Sequence, residues 1–254
     1  PVDPECLFTS NGNSQALDLM CTAFTRHGDT VIVEEPSYHL ARGIFADHGL
    51  HVVGVPVDAD GLDPEAVAAA LTTLAAAGTP ARFVYTIPAH HNPTAVTMTA
   101  ERRERLVAVT ARHGCLLVAD EVYHLLTYTG GTPPSFSKWV GAGGEHVLSL
   151  GTFSKILAPG LRLGWVHAAP ALLARLVGTG VVTSGGGLNP FTSALVTEVI
   201  RSGALATNIA MLCREYTARL EALDGALHEH LPSGVTWHRP TGGYFVWLTL
   251  PDAM

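Results

Sequence analysis

Lysine is nearly absent from this chain: Lys138 and Lys155 are the only two among 254 residues, against 13 arginines. Any chemistry that needs a side-chain amine must use one of those two positions. Cysteine is also scarce. Cys6, Cys21, Cys115 and Cys213 are scattered with no Cys-x-x-Cys pair, which argues against a disulfide framework or zinc site and for reduced thiols in a cytoplasmic protein. Charged residues make up only 15%, with a net charge of -7. That excludes the clustered basic surface a nucleic-acid partner would need. No uninterrupted apolar run approaches the ~18 residues that cross a bilayer, so no membrane partner is expected. The 13 histidines show no His-Glu-x-x-His spacing. His228 and His230, two apart, face different sides of a helix, so no metal is expected. What is plentiful is apolar content, at 47%, enough for a sizeable core and too much for a disordered chain. The start at Pro1-Val2-Asp3-Pro4 and the stop at Met254, just after a predicted strand, read as the ends of a fragment.

Short β-rich runs alternate with helical ones. Strands are predicted over 6–10, 30–34, 51–56, 82–88, 115–120, 146–150 and 162–167, most of them apolar throughout, as strands covered on both faces are. Helices are predicted over 14–26, 38–48, 64–77 and 99–113. Asp63-Pro64-Glu65 reads as an N-cap with proline in the first turn, and Gly49, Gly78 and Gly114 sit where helices should stop. The repetition implies an α/β fold: a mainly parallel seven-stranded sheet between helices. After residue 185 the rhythm changes. Helices over 189–201 and 205–230 break at Gly203, and two strands, 234–239 and 243–250, are joined by a Pro240-Thr241-Gly242 turn. The expected division is a large domain over 1–203, then an interdomain helix and a partial α+β small domain over 204–254. The glycine run 184–187 is followed by no Gly-Lys-Ser/Thr and reads as a flexible connection rather than a phosphate loop. The charged run 101–105 reads as a solvated helix face.

Five motifs follow predicted strands of this one sheet. Lys155 lies in Thr152-Phe153-Ser154-Lys155, with Arg162 seven residues on. A lysine at the end of a core strand suits Schiff-base formation, and the hydroxyls with Arg162 suit a phosphate. Asp120 closes an apolar strand at the carboxyl edge where α/β ligands bind, with Tyr123 three residues later. A buried carboxylate there needs a positive partner, such as a protonated pyridine nitrogen. Asn92 precedes Pro93, which restricts its direction. Gly12-Asn13-Ser14-Gln15 opens a helix after a strand and offers free N–H groups to an anion. Tyr38 places a ring at another strand's end. Singly, Asp120, Asn92, Tyr38 and the Gly12 turn read as ordinary caps, turns and packing, and Lys155 as equally a solvated loop lysine.

In combination and in this order, the motifs resemble the fold type I pyridoxal-phosphate enzymes, specifically the class I/II aminotransferases of the aminoadipate/kynurenine/aromatic group. The resemblance runs over essentially the whole chain. It implies pyridoxal 5'-phosphate as cofactor, bound to Lys155 as a Schiff base. It also implies Asp120 at the pyridinium nitrogen, Tyr123 and Asn92 at the ring's phenolic oxygen, and Tyr38 stacked on the ring. The phosphate would lie among Asn13, Ser14, Thr152, Ser154 and Arg162. Catalytic roles would fall to Lys155, Asp120 and Tyr123. The implied activity moves an amino group from an aromatic, aminoadipate-like or branched amino acid to a 2-oxo acid such as 2-oxoglutarate, in a homodimer.

Two departures stand out. Ala95 replaces the glycine usual after Asn-Pro-Thr, a mild change in a turn. Gly12-Asn13-Ser14-Gln15 stands where Gly-Ser-Gln-Gln is usual, which leaves open which side chain meets the phosphate. The resemblance also implies segments beyond both ends, among them an arginine that clamps the substrate carboxylate, so these residues alone are expected to turn over weakly. The same motifs fit two alternatives: the effector-binding module of a MocR-type transcription regulator, and a fold type I lyase.

Overall fold

The computed structural model describes residues 2–185 and 188–251. From the N-terminus run β1 (Leu7–Ser10), α1 (Asn13–Phe24), β2 (Thr30–Glu35), α2 (His39–Asp47), β3 (His51–Asp58), β4 (Gly61–Leu62) and α3 (Pro64–Ala76). Then come β5 (Ala81–Thr86), α4 (Ala100–Arg112), β6 (Leu116–Asp120), β7 (Val147–Thr152) and β8 (Gly164–Ala168). Four helices follow, α5 (Pro170–Val177), α6 (Gly180–Gly185), α7 (Pro190–Arg201) and α8 (Ala204–His230), and last β9 (Thr236–Trp237) and β10 (Leu248–Thr249).

One sheet has the order β1-β8-β7-β6-β5-β2-β3-β4. The seven expected strands are all in it, and the two-residue β4 adds an antiparallel edge to β3. The pairs β7–β6, β6–β5, β5–β2 and β2–β3 are parallel, while β8 runs antiparallel to both β7 and β1. The sheet is thus mainly parallel. Its chain order reverses between β2 and β5, the kind of switch point where α/β crevices open. Because β8 alone is reversed among the long strands, its amino end shares an edge with the carboxyl ends of β1, β6 and β7.

Both faces are covered. Leu17 and Met20 of α1, Phe45 of α2 and Leu173 of α5 pack on one face, and Val67 and Leu71 of α3 with Leu106 and Val109 of α4 pack on the other. Each such fully buried side chain contributes roughly 1.5–3 kcal/mol. Local chemistry sets the helix ends. Asp63 Oδ1 accepts the N–H of Glu65 at 3.0 Å to cap α3, and Thr99 Oγ1 accepts that of Arg102 at 3.4 Å to cap α4. The expected break at Gly203 is there, in a left-handed conformation between α7 and α8.

Four expectations need correction. The charged run 101–105 is not a solvated face throughout: Arg103 is fully buried and donates to Met98 O at 3.0 Å and to Pro134 O at 3.1 Å. The strand predicted from 162 begins at Gly164, and Arg162 stands outside it at φ 47°. The strands predicted over 234–239 and 243–250 shrink to two paired residues each, β9 against β10. The backbone between them is engaged elsewhere: Thr241 O accepts the N–H of Tyr128 at 2.8 Å, and Gly243 N–H donates to Leu126 O at 3.0 Å. A Cβ on Gly242 would lie 2.3 Å from Leu126 O, so only glycine allows that approach. Finally, Ser184 and Gly185 end α6 rather than forming a loose connection; Gly186 and Gly187 of that run lie outside the described residues. The helices α5 and α6 were not anticipated, although Pro170 at the first turn of α5 is a start signal. Among the described residues no single helix is long and apolar enough to cross a membrane.

Candidate functional site

At the carboxyl edge of the sheet lies a cavity of ≈ 530 Å³, which Asn13, Ser14, Tyr38, Asn92, Asp120, Tyr123, Thr152, Ser154, Lys155 and Arg162 all line. The ten residues that the resemblance assigns to the cofactor are therefore brought to one place. The topology does this: β6 ends at Asp120, β7 ends at Thr152, Tyr38 and Asn92 follow β2 and β5, and α1 opens after β1.

Asp120 forms one pole of the cavity. It is 3% exposed, accepting the amide of Asn13 at 2.6 Å on Oδ1 and the hydroxyl of Tyr85 at 2.8 Å on Oδ2. Burial pushes its carboxyl up to about 6, against the pull of those two hydrogen bonds, and Glu121 and Glu34 add to the rise. Two donors leave a carboxylate with acceptor capacity to spare. A cationic N–H in the cavity would satisfy it and restore its charge. The amide of Asn13 is thus spent on Asp120, and its Oδ1 is buried without a partner. What Asn13 offers an anion is therefore its backbone N–H at the start of α1.

The opposite pole is positive. Arg162 Nη1 donates to Ser154 Oγ at 3.2 Å and to Pro159 O at 3.1 Å, and Nη2 donates to Asn11 O at 3.3 Å. Thr152 Oγ1 donates to Ser154 Oγ at 3.0 Å and accepts the Ser154 N–H at 3.1 Å, which orders this turn. The guanidinium lies against Gly12, where a Cβ would meet Nη2 at 2.6 Å and where φ is 79°. Gly12 immediately precedes α1, whose first N–H groups have no partner within the helix. A guanidinium and a helix N-terminus repel one another unless an anion sits between them.

Lys155 lines the same cavity. Its Nζ lies 6.0 Å from the ring centre of Tyr123 and 5.7 Å from that of Tyr244. Tyr123 is 4% exposed; burial raises its phenol above the usual range, with the Asp120 charge adding and the Asn92 side chain pulling back. Tyr38, half-buried beside the cavity, is raised by burial and by Asp120. An aromatic ring with a basic nitrogen at one end and an anionic group at the other fits this donor set, with Asp120 for the nitrogen and Arg162, Ser154, Thr152 and the start of α1 for the anion. The residues therefore fit pyridoxal phosphate.

Sequence reasoning missed several lining and supporting residues. Tyr85 was not singled out, yet a tyrosine in a strand buried on both faces needs a partner for its hydroxyl, and that was a usable signal. Tyr244 and Phe245 line the cavity from the C-terminal region, and the Tyr244 hydroxyl donates to Lys155 O at 3.0 Å. Glu34 and His91 pack beneath the Asn92 turn, 2.9 Å apart.

The aromatic-amino-acid aminotransferase 1 of Thermococcus litoralis is 35% identical over 256 residues, covering 100% of this chain and 60% of that protein. The uncharacterized HTH-type transcriptional regulator YdfD of Bacillus subtilis is 31% identical, covering 98% of this chain and 50% of that protein. Among solved structures, LysN, the α-aminoadipate aminotransferase of Thermus thermophilus complexed with N-(5'-phosphopyridoxyl)-L-leucine, superposes with a TM-score of 0.89. It is 32% identical, with 99% of this chain and 63% of that one covered. The chain thus spans about 50–60% of the length of these curated relatives. The family model described as aminotransferase class I and II matches residues 1–254, and the chain belongs to that family.

Proposed function

We propose that this chain is the cofactor-binding part of a pyridoxal-phosphate-dependent aminotransferase that acts on an aromatic, aminoadipate-like or branched amino acid and a 2-oxo acid such as 2-oxoglutarate. The observation that carries the reading is that one cavity is lined by a buried carboxylate at Asp120, by the Arg162 guanidinium that lies against the residue opening α1, and by Lys155. When bound, the cofactor supplies an electron sink for charge developing at the substrate α-carbon. The chain's own residues do the rest. Asp120 holds a proton at the ring nitrogen, and Asn13 and Tyr85 hold Asp120 in place. Asn92 and Tyr123 are the ligands for the ring oxygen, and Tyr38 covers the ring. Arg162, Ser154, Thr152 and the backbone at Asn13 and Ser14 hold the phosphate. Lys155 carries the proton to and from the α-carbon, and Tyr244 and Phe245 limit the space on the substrate side.

The division into a large domain over 1–203 and an interdomain helix with a partial small domain over 204–254 belongs to the same reading, supported by the left-handed Gly203 between α7 and α8. So does a homodimer, supported by the apolar pair that α7 exposes on one face, Phe191 and Leu195, four residues apart. A cytoplasmic, biosynthetic role accords with four free cysteines, of which Cys21 and Cys115 are buried with thiols pushed up to about 12.

The experiment is an absorbance titration with pyridoxal phosphate, followed by a panel of amino donors with 2-oxoglutarate. Loss of the Schiff-base absorbance in Lys155→Ala, together with 2-oxo acid formed in proportion to glutamate, supports the reading. The likeness to the Bacillus subtilis regulator favours a second one, an effector-binding module. Cofactor binding with no amino transfer to any acceptor, measured on the whole protein this chain belongs to, would select it.

A further inference from the structure

The buried pair of Glu34 and His91 has no part in the chemistry above, yet it lies directly beneath the turn that carries Asn92. Both side chains are 2% exposed. Glu34, on β2, reaches across to the end of β5: Oε1 accepts the hydroxyl of Thr86 at 2.6 Å, and Oε2 accepts the N–H of Ile87 at 2.8 Å. The same Oε2 lies 2.9 Å from His91 Nε2, off the line of a well-formed hydrogen bond. On the far side of the imidazole, Nδ1 accepts the backbone N–H of Thr94 at 3.3 Å and lies 2.8 Å from its hydroxyl. A backbone N–H can only donate, so Nδ1 is an acceptor and the proton of the neutral ring sits on Nε2, facing the carboxylate.

One imidazole thus ties the turn at two points. Its acceptor side holds Thr94, and its donor side faces an anchor on the neighbouring strand. The His91 backbone is held as well: its N–H donates to Val96 O at 2.8 Å, and its carbonyl accepts the N–H of Ala95 at 2.7 Å. Asn92 lies between the two fixed points, 91 and 94. We propose that His91, anchored on Glu34, is a positioning residue that aims the Asn92 amide into the cavity. It acts through Asn92, and the inference rests on the reading of Asn92 as a ligand of the ring oxygen.

Two measurements test it, one without cofactor. In the isotope-labelled cofactor-free chain, the Asn92 side-chain amide is assigned by its loss in Asn92→Asp. It is then followed in His91→Phe, Glu34→Gln and the conservative His91→Gln, whose amide can serve one of the two anchors. A single sharp signal is expected in the parent chain and a broadened or displaced one in His91→Phe, with Glu34→Gln and His91→Gln between. In the loaded chain, pyridoxal phosphate should bind His91→Phe about 3- to 10-fold more weakly, the worth of one hydrogen bond. The pH midpoint of the bound cofactor's absorbance should rise by up to about one unit. A donor on the ring oxygen competes for the proton that oxygen shares with the Lys155 nitrogen, so losing the donor raises the midpoint; mere loss of stability lowers occupancy and leaves the midpoint alone. If His91→Phe does not fold, the two milder variants carry the test. An unmoved Asn92 signal, or an unmoved midpoint at reduced occupancy, overturns the proposal. A parent chain that binds no cofactor would instead sink the functional reading, and the amide signal would still decide the positioning.

Discussion

The parallel centre of the sheet and the C-terminal helix differ in how they are held. All six residues of β7 are buried, whereas none of the 27 residues of α8 is. The sheet is fixed by side chains that water never reaches, and α8 by half-buried contacts of Leu205, Ile209 and Leu212 with the same core. A few polar anchors supplement them, such as Asn208 Nδ2 donating to Ile156 O at 2.8 Å. The sheet faces the cavity, and so does the segment that follows α8. The sheet supplies Asp120 and Thr152 directly and Lys155 from the turn after β7, while the C-terminal region supplies Tyr244 and Phe245. The difference teaches that Asp120 and Thr152 stand on strands buried on both faces, where position is over-determined, and that Tyr244 and Phe245 stand on a segment held by a few backbone contacts such as Gly243 N–H to Leu126 O at 3.0 Å.

The sharpest way to break that comparison is to remove chemistry from the rigid part without touching its packing. Lys155→Ala deletes an amine that only flanks aromatic rings. Turnover should fall by about a thousandfold or more, since a positioned proton carrier is worth about 10²–10⁴-fold, while the melting temperature stays within a degree or two. Retained turnover would move the amine chemistry away from the sheet altogether. Packing comes next. Phe45 is fully buried, edge-on to Phe83 at 5.4 Å and to Tyr85 at 5.5 Å. Phe45→Ala should cost about 3–5 kcal/mol in denaturant unfolding and loosen the Tyr85 hydroxyl on Asp120. Leu223→Ala, on α8 and 45% exposed, should cost less than about 0.5 kcal/mol. Equal costs would erase the distinction between the regions.

A smaller effect separates the poles themselves. The Asp120 carboxyl stands at about 6 in the folded chain without cofactor, against 3.8 when unperturbed. The folded state therefore holds this proton more tightly than the unfolded one. The stability it contributes is full below about pH 4 and is lost as pH rises through 6. Asp120→Asn removes the titration, so between pH 4 and 7 the cofactor-free parent should lose about 2–3 kcal/mol relative to the variant. Parallel melting profiles for the two would show that the carboxylate meets no such cost.

Much of this was legible in the sequence, for a physical reason. Strands buried on both faces are apolar throughout, so Asp120 and the Thr152–Lys155 turn stand out where the apolar runs end, and one sheet edge must gather them. Partner choice over long separations was not legible. Asn13 meets Asp120 107 residues away, and that pairing depends on how the ends of β1 and β6 come together across β8 and β7. Glu34 and His91 pair for the same kind of reason. The short β9 and β10 were misjudged because an alternating apolar run states that a strand is possible, not which edge it joins. Here the Leu126–Tyr128 backbone takes up the segment at Thr241 and Gly243.

The last comparison falls within the rigid part, at a residue the sequence treats as a mild change. Ala95 is 3% exposed and holds φ at 62°, a left-handed conformation in which the Cβ of an L-residue crowds the following carbonyl at a cost of roughly 1–2 kcal/mol. Its N–H nevertheless donates to His91 O at 2.7 Å, so the turn under Asn92 is held in this shape by its hydrogen bonds. Glycine removes the crowding but gives the unfolded chain more freedom, worth about 0.4–1 kcal/mol in the other direction. Ala95→Gly should therefore be net stabilising by up to about 1 kcal/mol in chemical denaturation, with cofactor affinity unchanged within twofold. A destabilised variant would mean that the methyl group packs well enough under the turn to outweigh its backbone strain, and the turn would then owe its shape to packing rather than to the His91 hydrogen bonds.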